Sequence, residues 1–174
     1  MFERHSALTG VTASARIGES RGWALVQAAA FAATHSQFRQ QMRAALGTDL
    51  PSTVGTVTRV GTRMLLKTGA EQYWIFTSEG DDFAPSISAD IGAFTSLSHS
   101  RTCIFIEGEG AGAVLAKGVP LDFHPDSFPI DCFALTGVHH TPVLIHRSTD
   151  KRYDIYALRT YARTVWEWLE DAAA

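Results

Sequence analysis

The residues whose types could do chemistry include a glycine-rich segment, 108–113. It matches G-x-G-x-x-A between a predicted strand and a predicted helix, where a dinucleotide-binding loop presents backbone N–H groups to a pyrophosphate. The predicted helix has barely two turns before Gly118 and Pro120, and no acid follows at the spacing that holds a ribose hydroxyl. Glu107 and Glu109 would also face the phosphates. We therefore interpret the segment as a structural glycine turn.

A second group of residues could ligate a metal. A zinc site needs three or four cysteine or histidine side chains converging on one point. His146 falls inside a predicted strand, whereas His139 and His140 fall in a predicted hairpin loop, so these side chains point in different directions. The sequence therefore favours surface and turn histidines over a metal site. The full set of candidates is His99, Cys132, His139, His140 and His146.

Nucleophilic catalysis would need a serine or cysteine beside a base. Ser98 and His99 are adjacent on an extended segment, so their side chains face opposite sides, and the chain contains no G-x-S-x-G motif. Cys103 lies in an apolar strand and is predicted to be an inert core residue. We predict no catalytic group, no cofactor and no metal in this chain.

Composition limits the function further. The chain has 174 residues, a net charge of 15 − 18 = −3 and a pI near 6.1, which gives no basic face for nucleic acid. The apolar stretch 23–33 is too short to span a bilayer, and the polar N-terminus lacks the apolar region of a signal peptide. With only two cysteines, the sequence predicts a soluble cytoplasmic protein.

The clearest element is a helix over residues 35–46. Thr34 stands at the N-cap position and Gln37 three residues later, as in a capping box, and Gly47 stands where a helix C-cap belongs. The side chains that share its apolar face are Phe38, Met42 and Leu46.

The remaining elements alternate irregularly, which predicts an α+β fold. Residues 1–20 are predicted as an extended arm, and the alanine run 28–30 fits either strand or helix. Segment 78–88 is predicted as a loop leading into a short helix that ends near Gly92. The last three strands, spaced by about ten residues, predict an antiparallel meander. Strands are predicted at 23–27, 56–60, 64–66, 73–76, 103–106, 132–136, 143–146 and 153–157, and further helices at 113–117 and 160–170.

Two tryptophans on the predicted last helix give a different kind of signal. Trp166 and Trp168 are two positions apart, so their side chains are about 200° apart around the helix and cannot both face one core. One of them must lie at an edge or in an interface, where tryptophan is enriched. It either covers the N-terminal arm or contacts a partner.

Several motifs together resemble the gamma subunit of heterotetrameric sarcosine oxidase. The ending L-R-T-Y-A…V-W-E-W-L (158–169) is similar to the end of that family, and segments 6–10 and 69–74 agree more loosely. The departures are Ser96 in place of an acid, Ala7 in place of a proline, and Asp131 in place of a glycine. The motifs that match in order are L-S-H-S-R-T (97–102), E-G-E-G-A (107–111), V-L-A-K-G (114–118), P-L-D-F-H-P (120–125) and F-P (128–129).

The resemblance implies two small intertwined α+β lobes with mainly antiparallel sheet, like aminomethyltransferase (the glycine cleavage T protein), in one gamma-subunit domain over residues 1–174. It implies a non-catalytic subunit of a flavin-dependent complex. That complex converts sarcosine, an N-methyl amino acid, to glycine and passes the one-carbon unit to tetrahydrofolate. Alpha and beta subunits would hold FAD, FMN and NAD, the delta subunit zinc, and alpha would be the main contact. The alternative is a free-standing folate-binding protein of the aminomethyltransferase or YgfZ-like type.

For a subunit without chemistry of its own, the residues of interest are those that meet a partner. Exposed aromatic, proline and histidine side chains point to the loop 119–130 and to the tryptophan-bearing helix. The interface candidates are Leu121, Phe123, His124, Phe128, Trp166 and Trp168.

Overall fold

The computed structural model describes residues 5–10, 16–81, 83 and 85–174. A turn of 3-10 helix over Arg159–Tyr161 leads into the last helix, and no helix in this part of the chain is long and apolar enough to cross a membrane. The elements in chain order are β1 (Ile17–Ser20), β2 (Trp23–Ala30), α1 (His35–Leu46), β3 (Val57–Val60), β4 (Arg63–Gly69), β5 (Gln72–Ser78), β6 (Gly92–Ser96), β7 (Arg101–Glu107), α2 (Ala111–Ala116), β8 (Phe133–Val138), β9 (Thr141–Thr149), β10 (Arg152–Leu158) and α3 (Ala162–Ala173).

The chain divides into two compact units. Unit 1 comprises Met1–Arg21 and His99–Ala174, and unit 2 comprises Gly22–Ser98. Each unit holds one five-stranded sheet, in the order β1-β7-β10-β9-β8 in unit 1 and β3-β4-β5-β2-β6 in unit 2. Every strand pairing in these sheets is antiparallel. The predicted α+β class and the meander of the last three strands are confirmed.

In unit 1, the two helices α2 and α3 cover one face of the sheet. The side chains of alternate strand residues point to this face, and they meet the apolar sides of both helices. Burial of each such side chain contributes roughly 1.5–3 kcal/mol. The centre of this core contains Ile104, Ile155, Leu115, Val165 and Leu169, none of which is more than 1% exposed.

The two tryptophans of α3 both pack within unit 1. Trp166 is only 2% exposed, and Trp168 is half-buried at the edge of the same core. A Cβ atom at Gly118 would lie 2.4 Å from Cζ2 of Trp168, so the indole rests directly on the glycine backbone. The prediction that one tryptophan lies at an edge is confirmed for Trp168.

In unit 2, α1 covers one face of the sheet through the predicted residues. Phe38 and Met42 are fully buried, and the ring of Phe38 stacks on Tyr73 with centroids 6.4 Å apart. The helix ends as predicted, because Gly47 adopts a left-handed conformation and donates its N–H to the carbonyl of Arg43. The predicted capping box is wrong: the hydroxyl of Thr34 donates to the carbonyl of Ile91 (2.6 Å) and does not cap the helix.

Two strands were missed by the sequence patterns. Residues 17–20 of the predicted arm form β1, while residues 1–4 and 11–15 of that arm lie outside the described residues. Gly92 begins strand β6, so the helix predicted to end there is wrong. Both strands are short and pair with distant segments, which local patterns do not reveal. The alanine run 28–30 is the end of strand β2.

An ion pair links α1 to the turn between β4 and β5 in unit 2. Arg39 donates through both Nε and Nη2 to the carboxylate of Glu71, and the Nε–Oε2 distance is 2.9 Å. Glu71 adopts a positive φ of 50° in this turn, and its side chain is 13% exposed. The hydrogen bond from the Arg39 guanidinium holds the pKa of the Glu71 carboxyl below its ordinary value of 4.5.

Replacing Arg39 by glutamine therefore has a pH-dependent effect. Because the pKa of Glu71 is lowered in the folded state, the pair stabilises fully above pH 4.5, and this contribution is lost as the pH falls through the folded-state pKa. We expect Arg39→Gln to lower the free energy of unfolding by about 0.5–1 kcal/mol at pH 7 and by less at pH 3. Denaturant unfolding at several pH values measures this difference.

The matched control is Arg43→Gln, which breaks the exposed pair between Arg43 and Asp49 (3.3 Å) on the same helix. Both side chains of that pair are more than two-thirds exposed, so the control variant is expected to be close to neutral at every pH. An Arg39→Gln effect that stayed constant from pH 7 to pH 3 would contradict the assignment to the Glu71 carboxylate.

Candidate functional site

An open groove of about 510 Å³ lies in unit 1. One wall is the start of α2 together with the glycine-rich turn before it, and the other wall is the loop 122–125. The groove is lined by the glycine-rich segment 108–113, which was considered above as a dinucleotide-binding loop, and by the interface candidates Phe123 and His124. The residues that line it include Gly108, Gly112, Phe123, His124, Arg147 and Tyr153.

Three aromatic rings join the loop to the sheet beside this groove. Phe123 meets Tyr153 and Phe128 edge-on, with ring centroids 5.3 and 5.9 Å away, and Phe128 stacks on Tyr153 at 6.4 Å. A Cβ atom at Gly112 would lie 3.2 Å from the Tyr153 hydroxyl, so α2 approaches the cluster closely. Burial raises the pKa of Tyr153, which therefore stays a neutral phenol at pH 7.

The charged group at the groove is Arg147 on β9, which is only 6% exposed. Its Nη1 donates to the carbonyl of Phe128 at 2.8 Å, and its Nη2 donates to the carbonyl of Asp150 at 2.9 Å. The guanidinium carbon lies 5.7 Å from the centre of the Tyr153 ring. The arginine therefore ties the end of the loop to the β9–β10 turn. No sequence pattern indicated this role, because Arg147 follows a predicted strand like an ordinary surface residue.

The glycine-rich turn begins with a backbone hydrogen bond to the turn between β9 and β10. Gly108 has a positive φ of 122°, and its N–H donates to the carbonyl of Lys151 at 2.9 Å. The helix that follows has only six residues, and Glu109 forms an ion pair with Lys151. The acids Glu109 and Asp122 line the groove, so these residues do not fit a pyrophosphate. In the structure the segment forms a glycine turn that leads into a short helix.

The loop that carries the interface candidates is held by its own hydrogen bonds. The N–H of His124 donates to the Asp122 carboxylate at 2.9 Å, and the N–H groups of Ser127 and Phe128 donate to the carbonyl of His124. The pKa of the Asp122 carboxyl is lowered most by a hydrogen bond from the Ser127 hydroxyl and next by the one from the His124 N–H. The loop therefore has hydrogen bonds of its own, and the His124 side chain is 65% exposed.

The six interface candidates do not all reach the surface. His124 is exposed, and Leu121, Phe123 and Trp168 are half-buried. Phe128 (4% exposed) and Trp166 (2% exposed) lie inside unit 1, so they are corrected from interface to core residues. Aromatic side chains fill cores and interfaces alike, which is why residue type could not separate the two groups.

The candidate metal ligands separate in space. His139 and His140 form the two-residue turn between β8 and β9, whereas His146 is 2% exposed and lies 3.2 Å (Nε2) from the Asp131 carboxylate. Over the described ranges, no group of three or more histidine, cysteine, aspartate or glutamate side chains could hold a metal ion.

The candidate nucleophiles have structural roles. Burial raises the pKa of the Cys103 thiol well above its ordinary value of 9.0, so it remains a protonated core residue at neutral pH, as predicted. The hydroxyl of Ser98 accepts the N–H of Leu25 at 2.8 Å. Neither side chain is presented as an activated nucleophile.

Asp131 is one of the positions where the sequence departs from the resembled motifs. It adopts a positive φ of 61°, a conformation that favours glycine. This backbone places the Asp131 carboxylate against the buried ring of His146. At the entry to β8, the chain therefore combines a backbone conformation that costs energy with a side-chain contact.

The comparisons with known proteins agree on one family. Residues 27–174 match the model of the "Sarcosine oxidase, gamma subunit family". The chain is 30% identical over 137 residues to "Sarcosine oxidase subunit gamma" of Arthrobacter sp., covering 75% of this chain and 67% of the relative. It is 29% identical over 133 residues to the protein of the same name from Corynebacterium sp. (strain P-1), covering 74% of this chain. The match spans 66% of that relative's length.

Two solved structures share the fold. A chain of heterotetrameric sarcosine oxidase from Corynebacterium sp. U-96, in complex with pyrrole 2-carboxylate, superposes with a TM-score of 0.77 and 25% identity, covering 90% of this chain and 82% of that one. Glycine cleavage system aminomethyltransferase T from Bartonella henselae gives a TM-score of 0.64 at 15% identity, covering 89% of this chain and 45% of that one. The second likeness shows the fold alone and confirms the predicted aminomethyltransferase-like architecture.

The Asp131–His146 contact can be tested by a substitution series. Asp131→Gly removes the strain of the positive φ, but it also removes the carboxylate that contacts the buried ring of His146. We expect a net loss of about 1 kcal/mol in the free energy of unfolding. Asp131→Ala keeps the strain and also loses the acceptor, so it should be the less stable variant, whereas Asp131→Asn should lie closest to wild type. Denaturant unfolding gives the order, and a glycine variant more stable than wild type would contradict the account.

Proposed function

Because the chain belongs to the sarcosine oxidase gamma subunit family, we propose that it is a structural subunit of a heterotetrameric, flavin-dependent sarcosine oxidase-like complex. The observation that carries the proposal is the superposition on a chain of heterotetrameric sarcosine oxidase over 90% of this chain. In this proposal the complex converts an N-methyl amino acid, sarcosine, to glycine and passes the one-carbon unit to tetrahydrofolate.

In this proposal the chemistry resides in the partner subunits. FAD, FMN and NAD are assigned to alpha and beta subunits, and zinc is assigned to a delta subunit. The geometry of the groove supports the assignment, because the Gly108 N–H is bonded to the Lys151 carbonyl and the Arg147 guanidinium donates to backbone carbonyls. The free thiols of Cys103 and Cys132 suit a complex that works in the cytoplasm.

The surface proposed to meet the alpha subunit is the loop 119–130. Leu121, Phe123 and His124 are its exposed or half-buried side chains among the candidates. Their backbone is ordered by the Asp122 and His124 hydrogen bonds, so little conformational entropy is lost when a partner binds.

The direct test is to purify the tagged full chain after co-expression with its alpha, beta and delta partners. A yellow complex with stoichiometric large and medium subunits supports the proposal, and its absorbance spectrum reports the flavins. A colourless chain that elutes alone under these conditions contradicts it. Folate titration of that lone chain would then test the free-standing folate-binding alternative. In that alternative, folate at a hundredfold excess over its Kd would raise the free energy of unfolding of the chain by about 2.7 kcal/mol.

Within the complex, the proposal predicts a specific effect of His124→Ala. The side chain is exposed, so its removal should leave the melting temperature of the free chain within a few degrees of wild type. Affinity for the partner subunits should fall about tenfold, or about 1.4 kcal/mol, as measured by binding titration.

The matched control is His35→Ala, which removes an exposed histidine at the start of α1 in unit 2. This control should bind the partners as tightly as wild type. Equal affinities of wild type and His124→Ala would remove the loop 119–130 from the proposed contact surface.

A further inference from the structure

The groove of unit 1 contains a buried hydroxyl that has no role within the chain. Tyr153 lines the groove and is only 3% exposed. Its ring packs against Phe123 and Phe128, whereas its hydroxyl has no hydrogen-bond partner in the part of the chain that the structure describes. Burying a polar group without a partner costs free energy, and such groups are rare in native proteins.

The absence of a side chain at Gly112 leaves this hydroxyl open towards α2. A Cβ atom at Gly112 would lie 3.2 Å from the Tyr153 hydroxyl oxygen and 3.4 Å from Cβ of Phe123. All three residues line the groove, so a group that enters between α2 and the loop 122–125 reaches the hydroxyl. A phenol can donate one hydrogen bond and accept others. The occupant therefore has to present a polar group at this depth.

The charges around the hydroxyl favour a cation over an anion. The carboxylates of Glu109, Asp122 and Asp150 line the groove. Glu109 pairs with Lys151, but Asp122 and Asp150 form no ion pair with any described residue. Arg147 also lines the groove, where its guanidinium donates to backbone carbonyl oxygens. Two unpaired carboxylates therefore outweigh this single positive charge.

The walls of the groove suit the alkyl stem of a basic side chain. Phe123 is half-buried in one wall, and the exposed Ala113 and Ala116 of α2 form part of the other. Lysine and arginine side chains bury an apolar stem and carry a charged head that donates several hydrogen bonds. The stem would pack between the helix and the loop, and the head would reach the hydroxyl and the carboxylates.

We propose that the groove of unit 1 receives a lysine or arginine side chain of another subunit, whose charged head donates to the Tyr153 hydroxyl and pairs with Asp122 and Asp150. Sites for small molecules bury most of the ligand's surface, whereas this groove is open, which favours a side chain that its own polypeptide holds in place. The inference rests on the proposed function, because it needs a partner subunit, and it adds the chemistry of the contact.

Tyr153→Phe removes the hydroxyl and keeps the ring in the aromatic cluster. Because the hydroxyl has no described partner, the melting temperature of the free chain should not fall. Affinity for the partner subunits should fall at least about tenfold, mainly through faster dissociation, because a hydrogen bond from a charged donor is lost. Surface plasmon resonance with immobilised partner subunits measures both rates. A lower melting temperature, or a dissociation rate equal to that of wild type, would overturn the inference.

Asp150→Asn removes one charge of the groove with little change in shape. Charges at the edge of a contact act mainly on the association rate, so association should be about threefold slower at low salt, with a smaller difference at high salt. The matched control is Glu79→Gln, which removes an exposed acid of unit 2 and should change neither rate. An Asp150→Asn variant that associates as fast as this control would show that the groove receives no cation.

The outcomes distinguish this inference from the proposed function. A wild-type chain that assembles with its partners, together with groove variants that assemble equally well, overturns the side-chain contact alone. A wild-type chain that forms no complex overturns the proposed function and the contact with it. Cadaverine, a diamine with an alkyl stem, probes the remaining alternative in the free chain. Cadaverine binding that Tyr153→Phe abolishes, with assembly unaffected, would show that the groove takes a small amine, which also overturns the inference.

Discussion

The buried guanidinium of Arg147 is the interaction on which the position of the loop 119–130 depends. Its donors reach the carbonyls of Phe128 and Asp150, and its carbon lies 5.7 Å from the centre of the Tyr153 ring. A hydrogen bond from a charged donor contributes about 1.5–3 kcal/mol. A lysine could not reproduce these contacts, because the planar guanidinium directs several donors at fixed angles. Together with the contacts of Phe123 and Phe128 to Tyr153, this side chain holds the loop 119–130 against the sheet.

The geometry of unit 1 follows from strand pairing between distant parts of the chain. β1 pairs with β7 in a register that sets Ile17 opposite Ile106, although all of unit 2 separates the two strands in sequence. β7 also pairs with β10, whose next neighbour is β9, the strand that carries Arg147. The loop and the outer strand β8 are therefore supported by a sheet whose own edge strand comes from the start of the chain.

Some elements could be predicted from the sequence because their signals are local. The bounds of α1 follow from the spacing of its apolar residues and from Gly47, and the final meander follows from its regular turns. β1 and β6 could not be predicted, because four or five residues that pair with distant strands carry no pattern of their own. The prediction that Thr34 caps α1 was wrong for a similar reason, because its hydroxyl donates to the carbonyl of Ile91, which lies 57 residues further along the chain.

The candidate site was predicted in part. The glycine turn and the short helix after it could be read from the glycine spacing and from the closeness of Gly118 and Pro120. The burial of Phe128 and Trp166 depends on tertiary packing, which residue type alone does not give. The role of Arg147 could not be predicted from the sequence, because its hydrogen-bond partners are backbone carbonyls, which every residue has. The motif resemblance was more informative about function than any single reactive side chain.

The most direct measurement is a cryo-electron microscopy structure of the assembled complex, from which the accessible surface of residues 119–130 is calculated. We predict that a partner subunit covers the His124 side chain. A complex in which residues 119–130 face solvent would contradict this.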